Sequence, residues 1–150
     1  MAKIIYSNSD GTLSIITPTG DVELAKKDVP SGTAYEVVED NAFPTDRDFR
    51  NSWIGNNIGI ATVTTTITED ISKARDIHKT NIRNARAPKL AALDVEFQRA
   101  IEDGSSTETI VKQKQALRDA PADSAIDSAT DESDLKAQWN TSILGSSPYS

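Results

Sequence analysis

Apolar residues along 81–121 fall at helical spacing. Leu90, Leu93, Phe97, Ala100 and Ile101 recur three and four residues apart, which places them on one helix face. A break at Gly104-Ser105 follows, then a second stripe, Ile110, Val111 and Leu117, able to fold back on the first. The stretch predicts a helical hairpin with one apolar seam. Upstream, Ile71, Ala74, Ile77, His78 and Ile82 give an apolar side to a first helix over roughly 69–86. Thr68 is its expected N-cap, with Glu69 and Asp70 in the first turn, where the helix dipole favours acids. Pro88 either kinks one continuous helix or opens a new one. Gly104 predicts a C-terminal stop. Ser105 and Glu108 have capping-box spacing for the next helix, which ends near Arg118-Asp119 with Pro121 just beyond. Residues 120–130 read as an acidic loop. Thr130 then caps a short helix from Asp131 to Trp139, with Leu135 and Trp139 one turn apart. The tail, 140–150, is polar and expected to be extended.

The first forty residues follow a different rhythm. Lys3 to Tyr6 and Leu13 to Thr17 are short β-type runs around Asp10-Gly11, a hairpin signature. Val22, Leu24 and Ala25 suit a short helix or an extended connection, and Tyr35 to Val38 reads as a third strand. So small a sheet is marginal alone. In 41–56, Phe43, Phe49 and Trp53 admit two readings: they close the bottom of the sheet, or Trp53 anchors a partner surface. Ile58, Ile60, Val63 and Ile67, among threonines, predict one extended segment over 58–67. It is either a linker strand in the N-terminal sheet or an edge added to another protein's sheet. The expected fold is α+β: a small antiparallel β-rich unit over 1–56, an extended linker or edge strand over 57–67, and over 68–150 a helical hairpin, a short C-terminal helix and an extended tail.

Hydrophobic residues are only 37% of the chain and aromatics 5%, so one large core is not expected, and some apolar surface needs a partner to cover it. The net charge of -7 argues against a nucleic-acid backbone as partner, which takes clustered Lys and Arg. With no cysteine there is no disulfide, thiolate metal site or Cys nucleophile. The N-terminal apolar run is too short for a signal peptide, and no segment approaches the ~18 apolar residues of a membrane span. A soluble protein made in the cytoplasm is expected. Catalytic signatures are thin. His78 is the single histidine and lies mid-helix beside Lys79 and Asp76, which suits a surface or half-buried residue. No GxGxxG or Walker A motif occurs, and the paired carboxylates read as solvated faces. Neither catalytic residues, a metal nor a cofactor is expected. Arg83, Arg86, Asp94 and Arg99 lie near the seam, and Arg118-Asp119 ends the second arm. Arg–carboxylate pairs there either clamp the hairpin in register or recognise another protein chain.

Those same residues carry a resemblance. Arg83-x-x-Arg86, Leu90-x-x-Leu93-Asp94, Phe97-x-Arg99-Ala100 and K-Q-A-L-R-D-A-P from Lys114 to Pro121 together resemble the helical module of tailed-phage tail assembly chaperone proteins. The N-terminal blocks I-I-Y-x-N-x-D-G-x-L-S-I-I-T-P, K-D-V-P-x-G-x-x-Y-x-V-V and P-T-D-R-D-F-R-N-S-W are similar to small phage and prophage proteins. The chain departs from the chaperone pattern at Ala87-Pro88, where an acid is usual, and at Val95, where a Trp is usual; Trp139 is the nearest counterpart of the family's closing Trp motif.

The resemblance implies a non-enzymatic bacteriophage protein that binds a tail-fibre, baseplate or other tail protein, as a virion structural component or an assembly factor. It implies the virion tail as location, and a homo-oligomer or multi-copy protein. Contact residues implied on the hairpin are Arg83, Arg86, Leu90, Leu93, Asp94 and Phe97 on one arm and Leu117, Arg118 and Asp119 on the other. Trp53 and Trp139 complete the set. Two rival readings stand: a head or neck subunit using 58–67 as an inter-subunit strand, and an acidic inhibitor of a host nucleic-acid enzyme whose charge mimics phosphate.

Overall fold

The computed structural model describes residues 1–149. The fold is α+β, an antiparallel sheet at the N-terminus followed by helices. The chain divides into two compact units, Met1–Ala74 and Arg75–Ser150.

In the first unit, β1 (Lys3–Ser7) and β2 (Leu13–Ile16) form the expected hairpin. Gly11 adopts φ +76 at the turn, a conformation that costs glycine little. Asn8 N–H donates to the Thr12 carbonyl at 2.8 Å and closes it. β3 (Tyr35–Val38) pairs with the other side of β1, so the order is β2-β1-β3 with all neighbours antiparallel. Between them Val22–Ala25 forms a single helical turn, α1, capped by the Asp21 carboxylate on Glu23 N–H. A second ladder joins β4 (Trp53–Asn56) to β5 (Thr66–Glu69). The two sheets share one core: Ile5, Phe43, Trp53 and Ile67, with Leu13, Val38 and Ile58 packed against it. Phe43 and Trp53 thus close the sheet, and fully buried Phe49 lies in the adjoining turn.

The extended segment expected over 58–67 does not form. Only Thr66–Glu69 is a strand, and the residues before it coil. Two left-handed residues break the run, Asn57 at φ +62 and Gly59 at φ +74. Reverse turns follow, with Ile60 N–H on the Asn57 carbonyl and Val63 N–H on that of Ile60. β-propensity lost because Ile60 and Val63 have no sheet to pack on and lie about half exposed. Thr68 is within β5 rather than at a cap. Asp70 takes the capping role, its carboxylate accepting from the N–H groups of Ser72 and Lys73.

One helix, α2, runs from Ile71 to Asp103, about 50 Å at standard rise. It passes through Pro88 without interruption. Pro88 faces solvent, so the carbonyl that its missing N–H leaves free, that of Asn84, can be hydrated. Gly104, at φ +75, ends the helix as expected. Its N–H reaches the Ile101 carbonyl and Ser105 N–H the Ala100 carbonyl, the paired bonds of a Schellman turn. That turn occupies Ser105, so the capping box with Glu108 does not form, and α3 (Glu108–Asp119) starts after Thr107 without a side-chain cap.

Beyond α3 the structure is more ordered than its composition suggests. The loop expected over 120–130 holds a 3-10 turn (Ala120–Ala122) and a short helix, α4 (Ser124–Ser128), with Pro121, Ile126 and Ala129 buried. Asp123 caps α4. α5 (Glu132–Ala137) is capped by Asp131, one residue after the expected Thr130, whose hydroxyl instead donates to Asp134. The tail expected to be extended forms α6 (Thr141–Leu144), with Leu144 buried. Small side chains and Asx caps let these helices be short. Each holds one buried apolar residue, Ile126, Leu135 or Leu144.

Candidate functional site

The hairpin of α2 and α3 holds most of the residues singled out by the resemblance. Its two arms are locked by contacts of two kinds. Arg86 donates through Nη1 to the carbonyls of Leu117, at 3.2 Å, and Arg118, at 2.7 Å. These are carbonyls that the end of a helix leaves without intrahelical donors, and a cation there also suits the helix dipole. Nearer the turn, Lys114 Nζ meets Asp94 Oδ1 at 2.5 Å and lies 5.0 Å from the centre of the Phe97 ring. The register is therefore set by an arginine on backbone carbonyls and by a lysine, not by Arg–carboxylate pairs as the sequence suggested. Lys114 was missed as a candidate. It sits four residues after Ile110 and three before Leu117, on the stripe that faces α2, so its spacing did carry the information.

Leu117 is buried and Leu90, Leu93 and Phe97 are half-buried. Arg83, Asp94, Arg118 and Asp119 are exposed; Asp119 accepts from Gln115 at 2.8 Å. Val95, Ile101 and Val111 expose 51%, 54% and 47% of their surface. The outer part of the hairpin is thus a pair of well-formed helices whose apolar residues are only partly covered. On one flank, Lys89, Leu93, Glu96, Ala116, Leu117 and Ile143 line a groove of about 520 Å³.

The two tryptophans are placed otherwise. Trp53 is 3% exposed, its ring centroid 5.8 Å from that of Phe43. Trp139 is 7% exposed and donates through Nε1 to the Gly145 carbonyl at 3.0 Å. Both are core residues.

His78 is fully buried, not on the surface. Tyr149, from the end of the chain, stacks on its ring at 5.5 Å, and Trp139 stands edge-on to both rings. His78 Nδ1 lies 2.6 Å from the Tyr149 hydroxyl, to which Asn81 Nδ2 also donates. Burial pushes the imidazole down to about 4, so it is neutral at physiological pH. The arrangement ties the last residues to α2. On the same helix, Lys79 pairs with Asp127 at 2.6 Å and holds that carboxyl below its usual range, while Arg75 donates to the Ala129 carbonyl at 2.7 Å. These contacts fasten α4 to α2.

Among the described residues no group of three or more His, Cys, Asp and Glu is placed to hold a metal ion. No helix among them is long and apolar enough to cross a membrane. Compared with protein-family models, curated proteins and solved structures, the chain matches none.

Proposed function

We propose that this is a non-enzymatic bacteriophage protein that binds a tail-fibre, baseplate or other tail protein through the outer part of its helical hairpin. The observation that carries the reading is the apolar surface left open there. Ile101 on α2 and Val111 on α3 stay about half exposed at the outer end of the half-buried seam, while Val95, also half exposed, lies on the opposite face of α2. Exposed apolar clusters with a charged rim suit protein recognition.

The motif that carries the resemblance divides into two parts in support of this reading. Arg86, Lys114 and Leu117 build the hairpin, whereas Arg83, Arg99 and Arg118 point outward as candidate rim contacts. The rival head or neck subunit rested on a free strand over 58–67. That segment is now coil, and Thr66–Glu69 pairs within its own unit, so no observation favours it.

The test has two arms. Mass spectrometry of purified virions of the source phage should find the protein at a fixed ratio to a tail protein; if it is confined to infected cells, it acts as an assembly factor only. Capture of the tail-fibre and baseplate proteins by the purified chain should fail for an Ile101→Asp/Val111→Asp variant that keeps its helical circular dichroism. Absence of both virion incorporation and capture would sink the proposal.

A further inference from the structure

The N-terminal unit has a cleft of about 570 Å³, within the range of small-ligand sites. Its walls differ in charge from the rest of the surface. Lys3, Arg47 and Arg50 line it, and no carboxylate among the described residues does, on a chain whose net charge is -7. Lys3 is neutralised by Asp40, whose carboxyl is held down to about 2 mainly by that contact. The two arginines are not neutralised: among the described residues neither has an ion-pair partner.

Their placement is fixed by the fold. Arg50 N–H donates to the Arg47 carbonyl at 3.2 Å, which makes one tight turn. Phe49, within that turn, is fully buried. Both arginines line the same cleft. Across from them lies an apolar floor. Phe43 and Trp53 stand 5.8 Å apart with their planes tilted 37°, and Leu13 and Ile15 of β2 continue it. Leu13 and Ile15 are two apart on one strand and so face the same way.

Two unpaired arginines over an aromatic floor are complementary to one ligand chemistry. We propose that this cleft binds a small organic oxyanion, with an apolar body on Leu13 and Ile15 beside Phe43 and Trp53 and a carboxylate or phosphate between Arg47 and Arg50. The guanidinium fork matches either group bidentately. This site is independent of the hairpin and of the tail-protein reading.

The experiment is a two-dimensional ¹⁵N NMR titration of the full chain with four probes: benzoate, phenyl phosphate, inorganic phosphate and benzyl alcohol. Benzoate or phenyl phosphate should move the Trp53 indole signal and leave that of Trp139 in place. Whichever of the two binds more tightly identifies the anionic group. Inorganic phosphate and benzyl alcohol, each carrying half of the recognition, should bind at least ~10-fold more weakly. Arg47 and Arg50 are exposed, so an Arg47→Gln/Arg50→Gln variant should keep the fold, as checked by unshifted core amides. It should lose at least ~10-fold in affinity for the tighter probe. No movement of the Trp53 signal at millimolar probe, equal binding by the double variant, or equal binding of inorganic phosphate would each overturn the proposal.

Discussion

The two halves of α2 that lie in the helical unit make the sharpest contrast in the molecule. Before Pro88 the helix is a core element. His78 and Ile82 are fully buried or nearly so, and Arg75 and Lys79 hold α4 across it. Beyond Pro88 the same helix buries only Ala100 and leaves Val95 and Ile101 half exposed. Both halves have apolar residues at helical spacing, and the outer half has more of the large ones. The difference lies in what covers them. Around the inner half, α4 is fastened to Arg75 and Lys79, and Trp139 and Tyr149 pack on His78, whereas α6 lies beside α3 and the start of the outer half. The outer half has α3 as its partner helix. Periodicity says which side of a helix will be apolar; it does not say that the side will be covered.

Replacing a covered residue should cost far more than replacing an open one. Ile82→Ala should destabilise the protein by about 2–5 kcal/mol, while Ile101→Ala should stay within about 0.5 kcal/mol, both read by urea unfolding. Equal effects would mean that the outer half is buried in solution, for example by a second copy.

The buried imidazole should make the inner half the acid-sensitive one. His78 is held down to about 4 in the folded chain, against an ordinary value near 6.5. The folded state thus disfavours the proton, and stability is full above the unfolded value and is lost as pH falls from 6.5 toward 4. Between pH 7 and pH 5 the loss should be on the order of 2 kcal/mol. A His78→Gln variant should flatten the curve there. A wild-type protein equally stable at pH 7 and pH 5 would refute this account.

Smaller effects are expected at the hairpin. Arg86→Met keeps the apolar stem and removes the donor to the Leu117 and Arg118 carbonyls; it should cost about 1 kcal/mol, with faster amide exchange at the end of α3. Asp94→Asn should cost under about 0.5 kcal/mol, less still in high salt, because its partner Lys114 also rests on Phe97 and Asp94 itself is exposed. A larger loss at Asp94 than at Arg86 would reverse the ranking of the two contacts.

Much of the architecture was legible one residue at a time. Asp10-Gly11 gave the hairpin turn because a positive φ there needs glycine, and Gly104 gave the end of α2 for the same reason. The seam residues gave the helical hairpin. Where the reading failed, a neighbour in space overrode a local preference. Ile60 and Val63 lost their strand to Asn57 and Gly59, and Thr68 lost its capping role when β5 paired with β4. The segments over 120–130 and 140–149 read as a loop and an extended tail, yet they form short helices that bury Ile126 and Leu144. The cleft residues Arg47 and Arg50 were not legible at all. Nothing in their local sequence separates two unpaired arginines over an aromatic floor from two solvated ones.

The sequence by itself determined the helical hairpin, the strands around Gly11, the lack of cysteine chemistry and the excess of acid, because these depend on neighbours in the chain or on composition alone. Tertiary structure decided the burial of His78, the continuity of α2 through Pro88, the exposure of Val95 and Ile101, and the juxtaposition of Arg47 and Arg50 with Phe43 and Trp53. Each of these depends on which surface comes to lie against a residue from far along the chain, and hydrophobic burial, desolvation and charge pairing act only at that contact.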